Sequence, residues 1–164
     1  MSRQATIERQ TKETQIELTL DLDGTGSEIE TGVGFFDHML DLLARHANLG
    51  LKVKATGDLE TGSHHTVEDV GIVFGQALDQ ALGDRAGIRR YGSAVVPMDE
   101  AAAECALDIS GRALSVFRGE IPVTSISNYE TELTEEFFRA VAGGAKLTLH
   151  IDVRYGSNVH HMIE

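Results

Sequence analysis

The chain has 164 residues, enough for one domain with a substantial core or for two fused half-domains. Its 26 acidic residues against 14 basic ones give a net charge of −12, which argues against nucleic acid as a partner because a phosphate-neutralising surface is missing. No stretch is long and apolar enough to span a bilayer, and the N-terminus lacks the apolar core of a signal peptide. We therefore expect a globular protein of the cytoplasm with no membrane partner, in which a few placed arginines can still hold a small anionic substrate.

Hydrophobic periodicity predicts the elements of the first part of the chain. Residues 14–23 alternate apolar with polar and end in Asp23-Gly24-Thr25-Gly26, which indicates a half-buried strand and a turn. The next elements expected are a strand near 28–31, a helix over 35–46 with His38 in its first turns, and a strand over 51–56.

A histidine pair opens the following helix, which we expect to run from Ser63 to about Leu82. Ser63 stands where an N-cap belongs. His64 and Glu68 are four residues apart and His65 and Glu68 three, so imidazole and carboxylate share one face of the helix. Such a pair at a helix start is, alone, more often a cap or a solvated turn than a metal site.

The second part of the chain is predicted in the same way. Arg85-Ala86-Gly87-Ile88-Arg89-Arg90-Tyr91-Gly92 is a basic loop in an acidic protein. The expected elements after it are strands over 101–109, 113–118 and 147–153, a long loop over 119–130, and a helix over 131–142. Cys105, the single cysteine, excludes an internal disulfide and is expected in the core.

The histidine pattern then returns, with His160, His161 and Glu164 at the spacing of the first motif. Two copies indicate a duplicated structure, and two nitrogens with one oxygen suit a divalent transition metal. Each half also offers a ligand candidate early in its first helix, His38 or Glu136. The predicted fold is α+β, with half-repeats 1–92 and 93–164 that are each a β-sheet covered by two helices. Because the second histidine helix is cut short, we expect the natural protein to continue past Glu164.

Several motifs, taken together, resemble one enzyme family closely. They are Gly-Val-Gly-Phe-Phe-Asp-His-Met-Leu, His-His-Thr-Val-Glu-Asp, Gly-Ile-Arg-Arg-Tyr-Gly, Pro-Met-Asp-Glu-Ala, Asp-Ile-Ser-Gly-Arg and His-His-Met-Ile-Glu, in this order. The chain resembles imidazoleglycerol-phosphate dehydratase of histidine biosynthesis over essentially its whole length. The resemblance implies a homo-oligomeric 24-subunit shell with active sites at subunit interfaces, two Mn²⁺ ions per site, and dehydration of imidazole-glycerol phosphate to imidazole-acetol phosphate.

The resemblance also implies roles for individual residues. The metal ligands it implies are His38, His64, His65, Glu68, His160, His161 and Glu164, together with Glu136, where many relatives have histidine. The substrate-contacting residues it implies are Glu13, His38, His64, His65, Arg90, Arg112 and Asp99, the two arginines binding phosphate. Glu13 is the expected acid/base carboxylate, and Glu68 and Glu164 are also assigned to catalysis.

The chemistry explains why such residues would be needed. Two metals flanking the ring could bind it as imidazolate, whose electrons expel the hydroxyl group to give a diazafulvene-like intermediate, while Glu13 moves protons between steps. Two alternatives remain open. One is a two-metal phosphoester hydrolase, and the other is a non-catalytic shell protein in which metal ions only join subunits, so that Glu13→Gln would change nothing.

Overall fold

The structure, a computed structural model, describes residues 3–164. The strands are β1 (Gln4–Gln10), β2 (Thr14–Asp21), β3 (Ser27–Glu30), β4 (Gly50–Gly57), β5 (Tyr91–Met98), β6 (Ala101–Asp108), β7 (Leu114–Arg118), β8 (Ser125–Ile126), β9 (Tyr129–Glu130) and β10 (Thr148–Tyr155). The helices are α1 (Gly34–Ala47), α2 (His64–Leu82), α3 (Leu133–Ala145) and α4 (Val159–Ile163). None of the helices in this part of the chain is both long and apolar enough to cross a membrane.

Two four-stranded sheets share one topology, which confirms the duplicated α+β fold. Their strand orders are β1-β2-β4-β3 and β5-β6-β10-β7. In each sheet the first three strands pair antiparallel and the last pairs parallel to its neighbour. The boundary proposed after residue 92 stays a prediction, and β5 runs across that position.

Three segments differ from the sequence-based expectation. Strands β1 and β5 were not predicted, and the loop expected over 119–130 contains the small hairpin β8–β9. β1 and β5 are edge strands with a single neighbour, and β5 leaves Val95 and Val96 more than half exposed and contains Pro97. Neither strand alternates apolar with polar residues cleanly, as an edge strand need not, whereas the other two edge strands, β3 and β7, were predicted near 28–31 and over 113–118. Cys105, expected in the core, is only partly buried.

Helix α2 forms the centre of the molecule. Its buried side chains, among them Val67, Val70 and Val73, share the main core with Leu18 and Leu20 of β2. Its N-terminus differs from the expectation, because the Ser63 side chain makes no cap hydrogen bond and donates to the Glu130 carboxylate instead. The helix is therefore anchored at its start by the β8–β9 hairpin.

Helices α2 and α3 lie side by side and run in the same direction. A Cβ atom added at Gly71 would lie 2.9 Å from Cβ of Ala140, and one added at Gly75 would lie 2.5 Å from the carbonyl oxygen of Val141. The later residue of α2 thus contacts later residues of α3, as expected for two parallel helices. The close approach depends on glycine because any side chain would meet the backbone of the other helix.

Two neighbouring glycines of α3 give a matched test of this packing. Gly144→Ala should lower the free energy of unfolding by about 1–3 kcal/mol, because its Cβ would lie 2.6 Å from the carbonyl oxygen of Ile72. Gly143→Ala should raise it by about 0.5–1 kcal/mol, because nothing lies within 4 Å and alanine is the better helix former. Urea unfolding followed by circular dichroism measures both, and equal effects of the two substitutions would contradict the packing described.

Candidate metal centre

The N-termini of the helices meet at one end of the molecule. Ser63, which precedes the first histidine pair, donates a hydrogen bond to Glu130. The ring of the adjacent Tyr129 lies 5.2 Å from that of Phe35 in α1, and the Phe35 ring lies 5.0 Å from that of His160, edge to face. The β8–β9 hairpin thus connects the two histidine motifs.

Three predicted ligands lie together at this end. One ligand atom from each of His38, His160 and Glu164 lies within 4.8 Å of the others, and among residues 3–164 this is the single group of three such side chains. Nε2 of His160 is 3.1 Å from Oε2 of Glu164, and the rings of His38 and His160 are 5.8 Å apart. The cluster joins α1 of the first half to α4 of the second.

The cluster fits a divalent metal ion. Around a six-coordinate divalent ion, neighbouring ligand atoms are about 3 Å apart and opposite ligand atoms about 4.3 Å apart. Small side-chain movements would therefore bring the three ligand atoms into range. Two imidazoles and one carboxylate form a mixed donor set that accommodates a first-row transition ion such as Mn²⁺.

The first motif divides its contacts between two carboxylates. Nε2 of His64 is 3.5 Å from Oε2 of Glu68, the pair expected from the helical spacing. Nδ1 of His65, in contrast, lies 3.0 Å from Oδ2 of Asp58, which follows β4. The pKa of His65 is raised, first by the hydrogen bond and charge of Asp58 and then by the charge of Glu13. Because Asp58 contacts Nδ1 of His65, the Nε2 atom of His65 is available to bind another partner.

The second motif repeats this arrangement with a different carboxylate. Nδ1 of His161 lies 2.7 Å from Oε2 of Glu100, in the turn between β5 and β6. The hydrogen bond to Glu100 raises the pKa of His161. The same bond, followed by the backbone N–H groups of Asn158 and Ser157, holds the pKa of Glu100 far below its usual range.

Glu136 occupies in α3 the position that His38 occupies in α1. Both residues stand ten positions before a left-handed C-cap, Asn48 after α1 and Lys146 after α3. The Glu136 carboxylate is paired with Arg139, whose Nη1 lies 2.7 Å from Oε1. Its role as a ligand stays a prediction, and a metal ion would have to compete with this guanidinium.

Glu13 lies in the β1–β2 turn with its carboxylate exposed. Within residues 3–164 that carboxylate has no hydrogen-bond partner. The turn itself is well held, because the Thr11 hydroxyl accepts from the Glu13 N–H at 3.1 Å and Thr14 donates to the buried Asp69 of α2 at 2.5 Å. Arg9 pairs with the other Asp69 oxygen at 3.0 Å. The turn thus presents Glu13 at a defined place near His65.

The predicted phosphate-binding arginines lie at the opposite end of the second sheet. Arg90 makes two hydrogen bonds to Asp108, from Nε at 2.6 Å and Nη2 at 3.0 Å. The hydrogen bond from Arg90 lowers the pKa of Asp108, and the charge of Arg112 contributes. The two ends of the eight-residue strand β6, Ala101 and Asp108, are about 23 Å apart, and Glu100 directly precedes Ala101. One chain therefore does not bring its arginines and histidines to one small substrate.

Asp99 lies at the histidine end, in the tight β5–β6 turn, with a φ of 47°. Its charge contributes to raising the pKa of His161, after the effect of Glu100.

The two carboxylates that contact the second histidine of each motif, Asp58 and Glu100, were not predicted from the sequence. Neither Asp58, which follows the strand predicted over 51–56, nor Glu100, which follows the predicted site residue Asp99, was among the predicted site residues. The signal that could have found Glu100 is the duplication, since Glu13 and Glu100 both directly precede the second strand of their sheets.

Comparison with known proteins shows a family to which the chain is similar. A family model described as imidazoleglycerol-phosphate dehydratase matches residues 31–164. The chain belongs to the imidazoleglycerol-phosphate dehydratase family. A relative of that name from Limosilactobacillus fermentum is 58% identical over 163 residues, covering 99% of this chain and 84% of its own length. One from Acetivibrio thermocellus is 59% identical over 165 residues, covering 100% of this chain and 85% of its own.

Solved structures of the family have the same fold. The imidazoleglycerol-phosphate dehydratase of Staphylococcus aureus superposes with a TM-score of 0.88 at 41% identity, over 98% of this chain and 89% of that one. The Pyrococcus furiosus enzyme, solved in complex with (S)-C348, gives a TM-score of 0.83 at 34% identity, over 96% and 84% of the two chains. The chain is accordingly an enzyme, a hydro-lyase of histidine biosynthesis.

Proposed function

We propose that this chain dehydrates imidazole-glycerol phosphate to imidazole-acetol phosphate in the cytoplasm, with two Mn²⁺ ions in each site and with sites formed between subunits of a homo-oligomer. The observation that carries the proposal is the distance between the histidine end and the arginine end of the chain. Candidate metal ligands lie at one end of the chain, and the arginines that we propose bind phosphate lie at the other.

The residues at the histidine end would hold the metal ions. The cluster of His38, His160 and Glu164 is the best-formed set. The remaining ligands would come from His64, His65, Glu68, Glu136 and His161. When bound, the ions would supply positive charge that favours the deprotonated imidazole ring of the substrate and so promotes departure of the neighbouring hydroxyl group.

Side chains of the protein itself would position the substrate and move its protons. Arg90, already oriented by Asp108, and Arg112 would hold the phosphate and keep it away from the reacting carbons. Glu13 would exchange protons with the carbon chain, because its carboxylate is exposed and close enough for its charge to act on His65. Glu68 and Glu164 would take part beside their histidines.

The distance between the arginines and the histidines of one chain supports an oligomer. Helix α2 has 19 residues and is about 27 Å long, so Arg90, beyond its C-terminal end, is also remote from His64. A site with both groups then requires the arginine end of one subunit to meet the histidine end of another. Such a heterologous contact repeats around symmetry axes, and a closed shell such as a 24-mer satisfies it.

The proposal is tested on protein stripped of metal and then given Mn²⁺. We expect light scattering to show a large Mn²⁺-dependent assembly, and the same samples to release imidazole-acetol phosphate. Release of inorganic phosphate from a simple phosphoester would instead support the two-metal hydrolase. Assembly without any turnover, with Glu13→Gln indistinguishable from the unmodified chain, would support the metal-joined shell protein.

A further inference from the structure

Glu100 makes more hydrogen bonds than any role in a turn requires. Its Oε1 accepts from the backbone N–H of Ser157 at 3.0 Å and of Asn158 at 2.6 Å, and from the Ser157 hydroxyl at 3.2 Å. Its Oε2 lies 2.7 Å from Nδ1 of His161. Asn158 in turn caps α4, its side chain accepting from the His160 N–H at 2.9 Å. One carboxylate thus joins the β5–β6 turn to the start of the second histidine motif.

The two halves of the molecule differ in the contacts of the glutamate that precedes the second strand of each sheet. Glu100 and Glu13 are equivalent, since each directly precedes the second strand of its sheet. In the first half, Asp58 occupies Nδ1 of His65, and the Glu13 carboxylate is left without a hydrogen-bond partner among residues 3–164. In the second half, Glu100 itself contacts the histidine. The same place in the duplicated fold therefore holds a free carboxylate in one half and a fully engaged one in the other.

The hydrogen bond determines which ring nitrogen of His161 is available. A carboxylate is only an acceptor, so it selects the neutral tautomer with hydrogen on Nδ1 and the lone pair on Nε2. Carboxylates commonly orient metal-binding histidines in this way. We infer that Glu100 is a positioning residue, which holds His161 with Nε2 directed to a metal ion. This inference rests on the proposed function for the identity of that ion.

Glu100→Gln separates this role from that of a structural anchor. The two backbone N–H groups require an acceptor, so the glutamine carbonyl would take the place of Oε1 and keep the turn attached to α4. The amide NH₂ would then face Nδ1 of His161 as a donor and favour the opposite tautomer, with hydrogen on Nε2. The local fold is retained while the nitrogen that should bind metal is blocked.

The experiment measures Mn²⁺ affinity of the full chain by the electron paramagnetic resonance signal of free Mn²⁺. We expect Glu100→Gln to weaken Mn²⁺ binding about 10- to 100-fold at the site that contains His161. The matched control is Glu104→Gln on the adjacent strand β6, which loses an exposed ion pair with Arg154 and should bind Mn²⁺ as the unmodified chain does. Thermal unfolding of both variants should be similar. Unchanged affinity in Glu100→Gln would overturn the inference.

A second readout does not depend on the proposed function. In metal-free protein labelled with ¹⁵N-histidine, the ring nitrogen shifts of His161 at alkaline pH should show hydrogen on Nδ1, and in Glu100→Gln on Nε2. Hydrogen on Nε2 in the unmodified chain would refute the role of Glu100, whatever metal the enzyme uses. Failure of the unmodified chain to bind Mn²⁺, with the expected tautomer present, would refute the proposed metal and leave the orientation of His161 established.

Discussion

Replacement of His160 by asparagine is expected to weaken Mn²⁺ binding by more than about 100-fold, because partners that only orient a ligand already contribute about 10- to 100-fold. His160 is central to the cluster, lying beside both Glu164 and His38. Asparagine keeps the helix start polar but removes the imidazole nitrogen. Dehydratase activity at limiting Mn²⁺ should fall by a similar factor, as measured by titration of activity against added Mn²⁺.

The control for this substitution is His150→Asn. His150 is exposed on β10, where its backbone partners are Ala106 and Val116, and it belongs to no ligand cluster. Its replacement should leave Mn²⁺ affinity and activity unchanged. If His160→Asn binds Mn²⁺ as tightly as His150→Asn does, the cluster is not a metal site.

The second large effect is recovery of activity when two inactive variants are mixed. Arg112→Gln removes a proposed phosphate ligand and His160→Asn a proposed metal ligand, and each alone should be nearly inactive. If one site takes its arginine and its histidine from different subunits, an assembly containing both variants should contain intact sites. Random incorporation of equal amounts would make about one quarter of the sites intact, because each contribution is drawn independently.

Co-expression of the two variants with different affinity tags, followed by sequential purification, gives the mixed assembly. The matched control combines the Arg112→Gln chain with a chain that carries both substitutions, so that every subunit lacks Arg112 and no site can be intact. Activity near that of the control would show that Arg112 and His160 do not meet across a subunit interface.

Local periodicity was sufficient for most of the helices and strands. Helices α1, α2 and α3 and strands β2, β3, β4, β6, β7 and β10 were all predicted to within a few residues, because their apolar residues recur at the period of a helix or a strand. Strands β1 and β5 and the hairpin β8–β9 were missed, because β1 and the hairpin strands contain few apolar residues and β5 places Val95 and Val96 side by side instead of alternating. Their pairing is stabilised by backbone hydrogen bonds, which leave little trace in side-chain pattern.

The candidate site shows the same division. Spacing correctly paired His64 with Glu68 and His160 with Glu164, since both pairs are one helical turn apart. Spacing did not show that His65 contacts Asp58 or that His161 contacts Glu100, because these partners come from distant parts of the chain.

The sequence by itself determined the duplication, the α+β class, the two histidine motifs and the family. These properties depend on residue identity and short-range spacing, which do not depend on how distant segments pack together. Only the tertiary structure decided that His38 joins the motif of the other half, and that Glu100 engages His161 while the Glu13 carboxylate has no hydrogen-bond partner among residues 3–164. It also decided that the arginines lie about 23 Å from the histidine end. Those outcomes depend on sheet register and helix direction, which are set when distant segments pack together.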